Sequence, residues 1–194
     1  MVEIILASKS KIRKKILDSN NIKCKVSPSN VDEDIVKRSL LNEKASPEII
    51  SKNLAELKAN KVSQKNPDYL VLGADSVIDL NNELISKPKS REAAMDILKK
   101  LNGKQHNLVS SVCISKNGSM LWNCTEKALL TMKELSEEEL ALYLSKISDE
   151  SLYAYNVYQI EGEGRKLFSD IKGDENSIMG LPVDKIKDYL KNYE

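Results

Sequence analysis

The sequence predicts an α/β protein with a mixed β-sheet, and three observations carry that prediction. Short apolar runs bounded by turn residues alternate with segments of helical periodicity. Helix-start signals recur, at Ser46-Pro47 and at Ser136-Glu137-Glu138-Glu139. In the middle of the chain two strand-like runs are joined by Asn117-Gly118, a strong hairpin signal.

The elements follow in order. Glu3–Ala7 reads as a buried strand, and Ser8 to Asn20 as a helix with Ile12, Ile16 and Leu17 on one stripe. Region 28–46 is polar and reads as irregular. From Ser46-Pro47 a helix runs to about Gln64, with Ile50, Leu54, Leu57 and Val62 on one face. Tyr69–Gly73 is the next strand. Ser90–Leu101 is a helix stopped by Asn102-Gly103. Leu108–Ser115 and Met120–Met132 are the hairpin strands. The capping box at Ser136 opens a helix to about Lys146. Two strand-like runs, Val157–Glu161 and Lys166–Ile171, precede a last helix opened by Pro182. With no repeat, low-complexity segment or linker, a single domain over residues 1–194 is expected.

Composition excludes several function classes. A chain of 194 residues can bury a real core. Its 30 Lys+Arg against 29 Asp+Glu, a net charge of +1, argues against a general nucleic-acid or membrane-surface binder. One Trp and one Phe offer few platforms for stacking bases. No apolar run approaches the roughly 20 residues of a membrane span. The opening MVEIILASKSK lacks the pattern of a secretory leader. Cys24, Cys113 and Cys124 are widely spaced and form no CxxC, which reads as reduced thiols in a cytoplasmic protein.

Five stretches could carry chemistry. In 6-LASKSKIRKKIL-17, two serines flank a helix start and five of the residues Lys9–Lys15 are basic. Free N–H groups at a helix start favour an anion, so this is a phosphate cradle or a capped surface helix with a solvated face. In 31-VDED-34, clustered acids could bind a divalent cation through oxygen, or form a solvated turn. Lys58 falls on the apolar stripe of its helix, where it snorkels or points into a phosphate site. In 70-LVLGADSVIDLNNELISKP-88, an apolar strand runs into Asp75 with bare Gly73-Ala74 before it. Ligands of α/β sheets bind beyond strand carboxyl ends, so Asp75 could hold a metal or a water. Its plainer role is a buried carboxylate with Lys87 as ion-pair partner. Last, the glycine-punctuated 158-YQIEGEGRKLFSDIKGDENSIMGLPV-183 places Glu161 where it could accept from a base edge. His106 is the one histidine and reads as structural, so no Ser/His/Asp triad is expected. There is no GxxxxGK[ST] loop.

In order, these motifs resemble the Maf family of septum-formation-inhibitor-like nucleotide pyrophosphatases. LASKSKIRKKIL is similar to its LASxSPRRxxLL, VDED to its (I/V)DE, and LAELKA at 54–59 to its LAxxKA. GADSVI…SKP is similar to GADTVV…GKP, LNGKQH to LSGxxH, and YQIEGEG…IKGD…IMGLPV to YxIQGxG…IxG…VxGLPL. The resemblance spans nearly the whole chain. It implies an elongated mixed sheet flanked by helices, related to inosine-triphosphate pyrophosphatases, with a substrate cleft between two lobes. It also implies a cytoplasmic homodimer that splits nucleoside triphosphates into monophosphate and pyrophosphate with a divalent metal, Mg2+ or Mn2+. By the same resemblance Asp75 is the catalytic carboxylate, general base or metal ligand, with Glu33 as its partner at the metal. Lys58 and Lys87 neutralise phosphate oxygens, while Ser8, Ser10 and Arg13 hold the phosphate tail.

Three departures bear on substrate choice. Ile12 stands where the family has its first arginine, Ser76 where it has threonine, and Glu161 where it has glutamine. An ionised carboxylate only accepts, so Glu161 favours a donor-rich edge such as that of guanine. A branch with glutamate here and no first arginine prefers 7-methyl-GTP, though it tends to carry glutamine where Ser76 stands. Ile12, Ser76 and Glu161 are thus the specificity positions. The alternative to the enzyme is a non-catalytic nucleotide-binding regulator of cell division.

Overall fold

The structure is a computed structural model that describes residues 2–193, apart from the side chain of Tyr155. The described residues form a seven-stranded mixed sheet. β1 (Ile4–Leu6) lies parallel to β2 (Cys24–Val26) on one side and to β3 (Val71–Leu80) on the other. β3 then pairs antiparallel with β5 (Gln105–Lys116), β5 with β6 (Ser119–Met132), and the end of β6 with β7 (Phe168–Lys172). β4 (Glu83–Ile85) folds back on β3. Asn117 at φ 50° and Gly118 at φ 78° make the β5–β6 turn, since a two-residue hairpin of this hand needs both φ values positive.

Helices α1 (Lys11–Ser19), α2 (Glu33–Asn42) and α3 (Pro47–Ser63) lie between β1 and β3. α4 (Arg91–Leu101) precedes β5, α5 (Glu137–Ser145) and α6 (Asp149–Tyr155) follow β6, and α7 (Glu175–Ile178) and α8 (Val183–Leu190) close the chain. Two apolar cores form on the one sheet. The first gathers Leu6, Leu17, Leu72, Ile114 and Ile186. The second gathers Ile78, Leu98, Leu130, Leu140 and Phe168. β3 and β5 contribute to both, because they are long enough to run from one core to the other. The molecule therefore has two lobes with a cleft at the middle of β3, as the family resemblance implies.

Several expectations need correction. β3 does not end at Gly73; it continues to Leu80, and Asp75 lies within it, opposite Ser111 of β5. The parallel pairing with β1 stops at Leu72, so Asp75 emerges beyond the carboxyl end of β1 rather than of its own strand. Region 28–46 is not irregular: Asp32 caps α2 by accepting from Ile35 N at 3.1 Å, and Glu33 and Asp34 suit its first turn. No residue of α2 is fully buried, and Ile35 is 61% exposed, so the helix carries no inward apolar stripe to betray it. Val157–Glu161 is not a strand either. Asn156 enters it at φ 78°, and Gly162 N donates back to Gln159 O, so turn bonds replace a ladder. Leu57 is exposed, because the buried face of α3 is Ile50, Leu54, Lys58 and Val62 with Ala55 and Ala59, and Leu57 points away from it.

Gly73 has a different use from the one expected. A Cβ there would stand 2.1 Å from Ala55 O and 2.7 Å from Ala59 N. The missing side chain lets the α3 backbone lie directly on β3, with Ala55 and Ala59 as the contact surface and Cys113 of β5 packed beside them. This close contact carries Lys58, one residue before Ala59, to the side of Asp75.

Candidate active site

The cleft has a volume of about 450 Å³, and every residue singled out above for the site lines it: Ser8, Ser10, Ile12, Arg13 and Glu33 from the first part of the chain, and Lys58, Asp75, Ser76, Lys87 and Glu161 further on. At its floor is a three-membered charge cluster. The Lys58 ammonium lies 2.7 Å from Asp75 Oδ1 and 2.7 Å from Glu33 Oε1. Lys58 and Asp75 are 6% and 5% exposed, so the lysine belongs to the interior and does not snorkel out. The ion-pair partner of Asp75 is thus Lys58, supplied by α3, and not the expected Lys87. The other carboxylate oxygen, Asp75 Oδ2, is buried and has no hydrogen-bond partner among the described residues. Ser51 Oγ donates to the Asp75 carbonyl and fixes the strand at this point.

Glu33 comes from the first turn of α2. Burial raises its pKa, but the adjacent Lys58, with Lys37 and Lys87 behind it, outweighs burial and brings it down to about 2. It is a carboxylate at any ordinary pH. Lys87 stands exposed at the rim. Loss of water around its ammonium lowers its pKa, opposed by Glu33 and Asp75 and assisted by Lys37 and Lys58.

The helix start beside this cluster is built as the spacing predicts. Ser10 caps α1 by accepting from Arg13 N at 3.3 Å, and Ser8 Oγ accepts from Ser10 N at 3.2 Å. Arg13 is more committed than expected. Its guanidinium donates to Gly180 O at 3.0 Å, Ala74 O at 3.0 Å, Ser76 Oγ at 3.1 Å and Ser8 Oγ at 3.4 Å. It therefore staples α1 to the middle of β3 and to the turn after α7. Ser76 also shares a hydrogen bond with Ser110 of β5.

The far wall of the cleft is made by β4, the end of α6 and the segment 156–161. Tyr158 in that segment is anchored from below, its hydroxyl 2.8 Å from His106 Nε2. Tyr143 on α5 holds the same segment by donating to Val157 O. His106 is thus structural, as expected. Glu161 and Ile12 both line the cleft, and Glu161 is exposed. Lys37 on α2 and Asn156 are cleft residues that the sequence reading missed. The Glu33–Lys37 spacing of one helical turn would have placed Lys37 beside Glu33 once Asp32 was taken as a cap.

Residues 3–193 match the family model described as Maf-like protein, and the chain belongs to that family. A nucleoside triphosphate pyrophosphatase of Pelagibacter ubique (strain HTCC1062) is 70% identical over 189 residues, 97% of each chain. A protein of the same name from Ruegeria pomeroyi (strain ATCC 700808 / DSM 15171 / DSS-3) is 39% identical over 97% of this chain and 95% of its own. A 7-methyl-GTP pyrophosphatase of Brucella abortus biovar 1 (strain 9-941) is 37% identical over 94% of this chain and 92% of its own. Cys24, Cys113 and Cys124 are free thiols, and no helix of the described residues is long and apolar enough to cross a membrane.

Proposed function

We propose that this chain is a hydrolase that cleaves nucleoside triphosphates between the α and β phosphates, releasing monophosphate and pyrophosphate, with Asp75 at the reacting centre. The observation that carries this reading is Asp75 Oδ2, a buried and unpartnered carboxylate oxygen at the floor of a cleft ringed by lysines. The names of the relatives support the reaction class. In the reaction a water oxygen bonds to the α phosphorus, the bridging P–O bond breaks, and pyrophosphate leaves with the bonding pair. Asp75 Oδ2 is the atom that takes the water's proton or holds a metal ion. Lys58 and Lys87 neutralise charge on the phosphates, so that the carboxylates do not repel the substrate. Ser8, Ser10 and the free N–H groups at the start of α1 take the tail. Arg13, already bonded to protein oxygens, keeps Ser8 and Ser76 in place.

A divalent cation fits the donors present. Mg2+ takes one or two carboxylates and completes its shell with substrate phosphates and water. Glu33 and Asp75 supply two hard oxygen donors, one of them the orphaned Oδ2. Bound there, Mg2+ or Mn2+ would polarise the phosphoryl oxygens and acidify an attacking water. Lys58, now bridging both carboxylates, would then be released toward the phosphates. Glu161, exposed and unpaired among the described residues, favours guanine-type or 7-methylated purine triphosphates, with Ile12 and Ser76 shaping the same end. The family resemblance further supports a homodimer working in the cytoplasm.

The test is pyrophosphate release from the common ribo- and deoxynucleotides, ITP and 7-methyl-GTP, with Mg2+ or Mn2+, beside an Asp75→Asn control. Metal-dependent release that the control loses is the expected result. Binding without release from any substrate would replace this reading with the regulator.

A further inference from the structure

We propose that Lys37 is a further phosphate-binding residue of the cleft, taking up part of the polyphosphate tail beside Lys58 and Lys87, an assignment that rests on the triphosphate-hydrolase reading for its natural ligand. Glu33 and Lys37 stand one turn apart on the same helical face. That face looks into the cleft, while Ile35, on the other side of the helix, is 61% exposed. The Lys37 side chain is only 14% exposed. A lysine on a helix at the surface ordinarily sends its ammonium out to water. This one turns inward, toward other cations.

Its protein partner does not explain that choice. Among the described residues, the polar side-chain contact of Lys37 is to Glu33 Oε2 at 3.5 Å, beyond the usual hydrogen-bond range. Glu33 is already held by Lys58 at 2.7 Å on its other oxygen. Lys37, Lys58 and Lys87 therefore face two carboxylates, Glu33 and Asp75, at one end of the cleft, and Arg13 adds a fourth cation beside them. Positive charge exceeds negative charge, and the like charges repel. Such crowding is unfavourable on its own and becomes favourable when a multiply charged anion enters. A polyphosphate is the ligand class that fits, because its separate anionic oxygens can each meet a different ammonium.

Inorganic tripolyphosphate is the probe, titrated calorimetrically into the full chain and into Lys37→Met, Lys37→Arg, Glu33→Gln and the double variant Glu33→Gln/Lys37→Met. Thermal melting checks that each variant is folded, with Lys37→Gln as the substitute should Lys37→Met not fold. Lys37→Met is expected to weaken tripolyphosphate binding by roughly ten-fold or more, the loss of one contact to a charged group. Lys37→Arg should restore most of it, and the loss should persist in the Glu33→Gln background. Unchanged affinity in a folded Lys37→Met protein overturns the proposal. So does a loss that disappears in the Glu33→Gln background, because Lys37 would then serve only to hold Glu33. Should the wild-type chain hydrolyse no triphosphate, the proposed activity falls while the tripolyphosphate series still decides on Lys37.

Discussion

The floor of the cleft and its far wall are built on opposite principles. At the floor, Asp75 and Lys58 sit on a strand and a helix whose backbones touch, and both side chains are almost fully buried. At the wall, Glu161 projects from a turn-bonded segment into solvent and has no partner among the described residues. The floor is fixed to within the tolerance of close packing, as reacting groups require. The segment that carries Glu161 is anchored at its base, through Tyr158 and Val157. On the proposed reading of the site, the difference would make reaction and base choice separable: a change on the wall should alter one without touching the other.

The sharpest way to break the floor is Gly73→Ala. The added methyl has no room, since it would stand 2.1 Å from Ala55 O, a backbone atom that cannot rotate away. α3 must lift from β3, and Lys58 leaves the buried Asp75 and the half-buried Glu33 without their shared cation. We expect a loss of about 4 kcal/mol, at the severe end for one substitution, or failure to fold. Urea unfolding measures it. A stability close to that of the unaltered chain would show that the α3–β3 contact is not the constraint described.

The base of the wall is tested by pH. His106 is buried against Tyr158 and Phe168, its Nδ1 has no partner among the described residues, and burial lowers its pKa from 6.5 to about 4. Between those values the unfolded chain binds a proton that the folded chain refuses. The stability this group contributes is full above about pH 6.5 and is lost as pH falls toward about 4. The whole effect is on the order of 3 kcal/mol. Urea unfolding at steps from pH 7.5 to 4 should give a steeper decline for the wild type than for His106→Gln. Equal slopes would assign the decline to other groups.

The same contrast governs what the sequence made legible. Local signals survived folding: the cap at Ser46, the capping box at Ser136, the Asn117-Gly118 turn and the place of Lys58 on its stripe all stand as predicted. Each depends on a few neighbouring residues. α2 was hidden because Ile35 and Leu41 face outward and its anchors are charges on other elements, Lys58 and Lys89. The length of β3 was hidden because Asp75 and Ser76 interrupt an apolar run, and only the partner strand β5, with Ser110 and Ser111 opposite, makes those polar residues at home. The site residues were found together through the ordered motifs, but their pairings were not. Which lysine meets Asp75 is set by how closely α3 can approach β3, and although Gly73 permits that approach, only the packing of α3 on it reveals which lysine arrives.

The smallest change in stability and the largest in selectivity belong to Glu161→Gln. The substitution keeps shape, removes one charge from an exposed side chain with no partner, and should leave stability within about 0.5 kcal/mol. Its chemical effect is on hydrogen-bond polarity. A carboxylate accepts only, and so matches adjacent donors on a guanine-type edge, whereas an amide donates as well and tolerates edges that present acceptors. With pyrophosphate release as the readout, kcat/KM for 7-methyl-GTP and GTP should fall relative to TTP and UTP, by about ten-fold for one mismatched polar contact. Because the floor is untouched, the loss should come from discrimination between bases, with the best substrate of the variant still turned over at a rate near that of the unaltered enzyme. An unchanged ranking would remove Glu161 from base recognition and move the search to Asn156 and Gln159, the other polar groups on that wall. A collapse of turnover for every base alike would show that floor and wall are coupled after all.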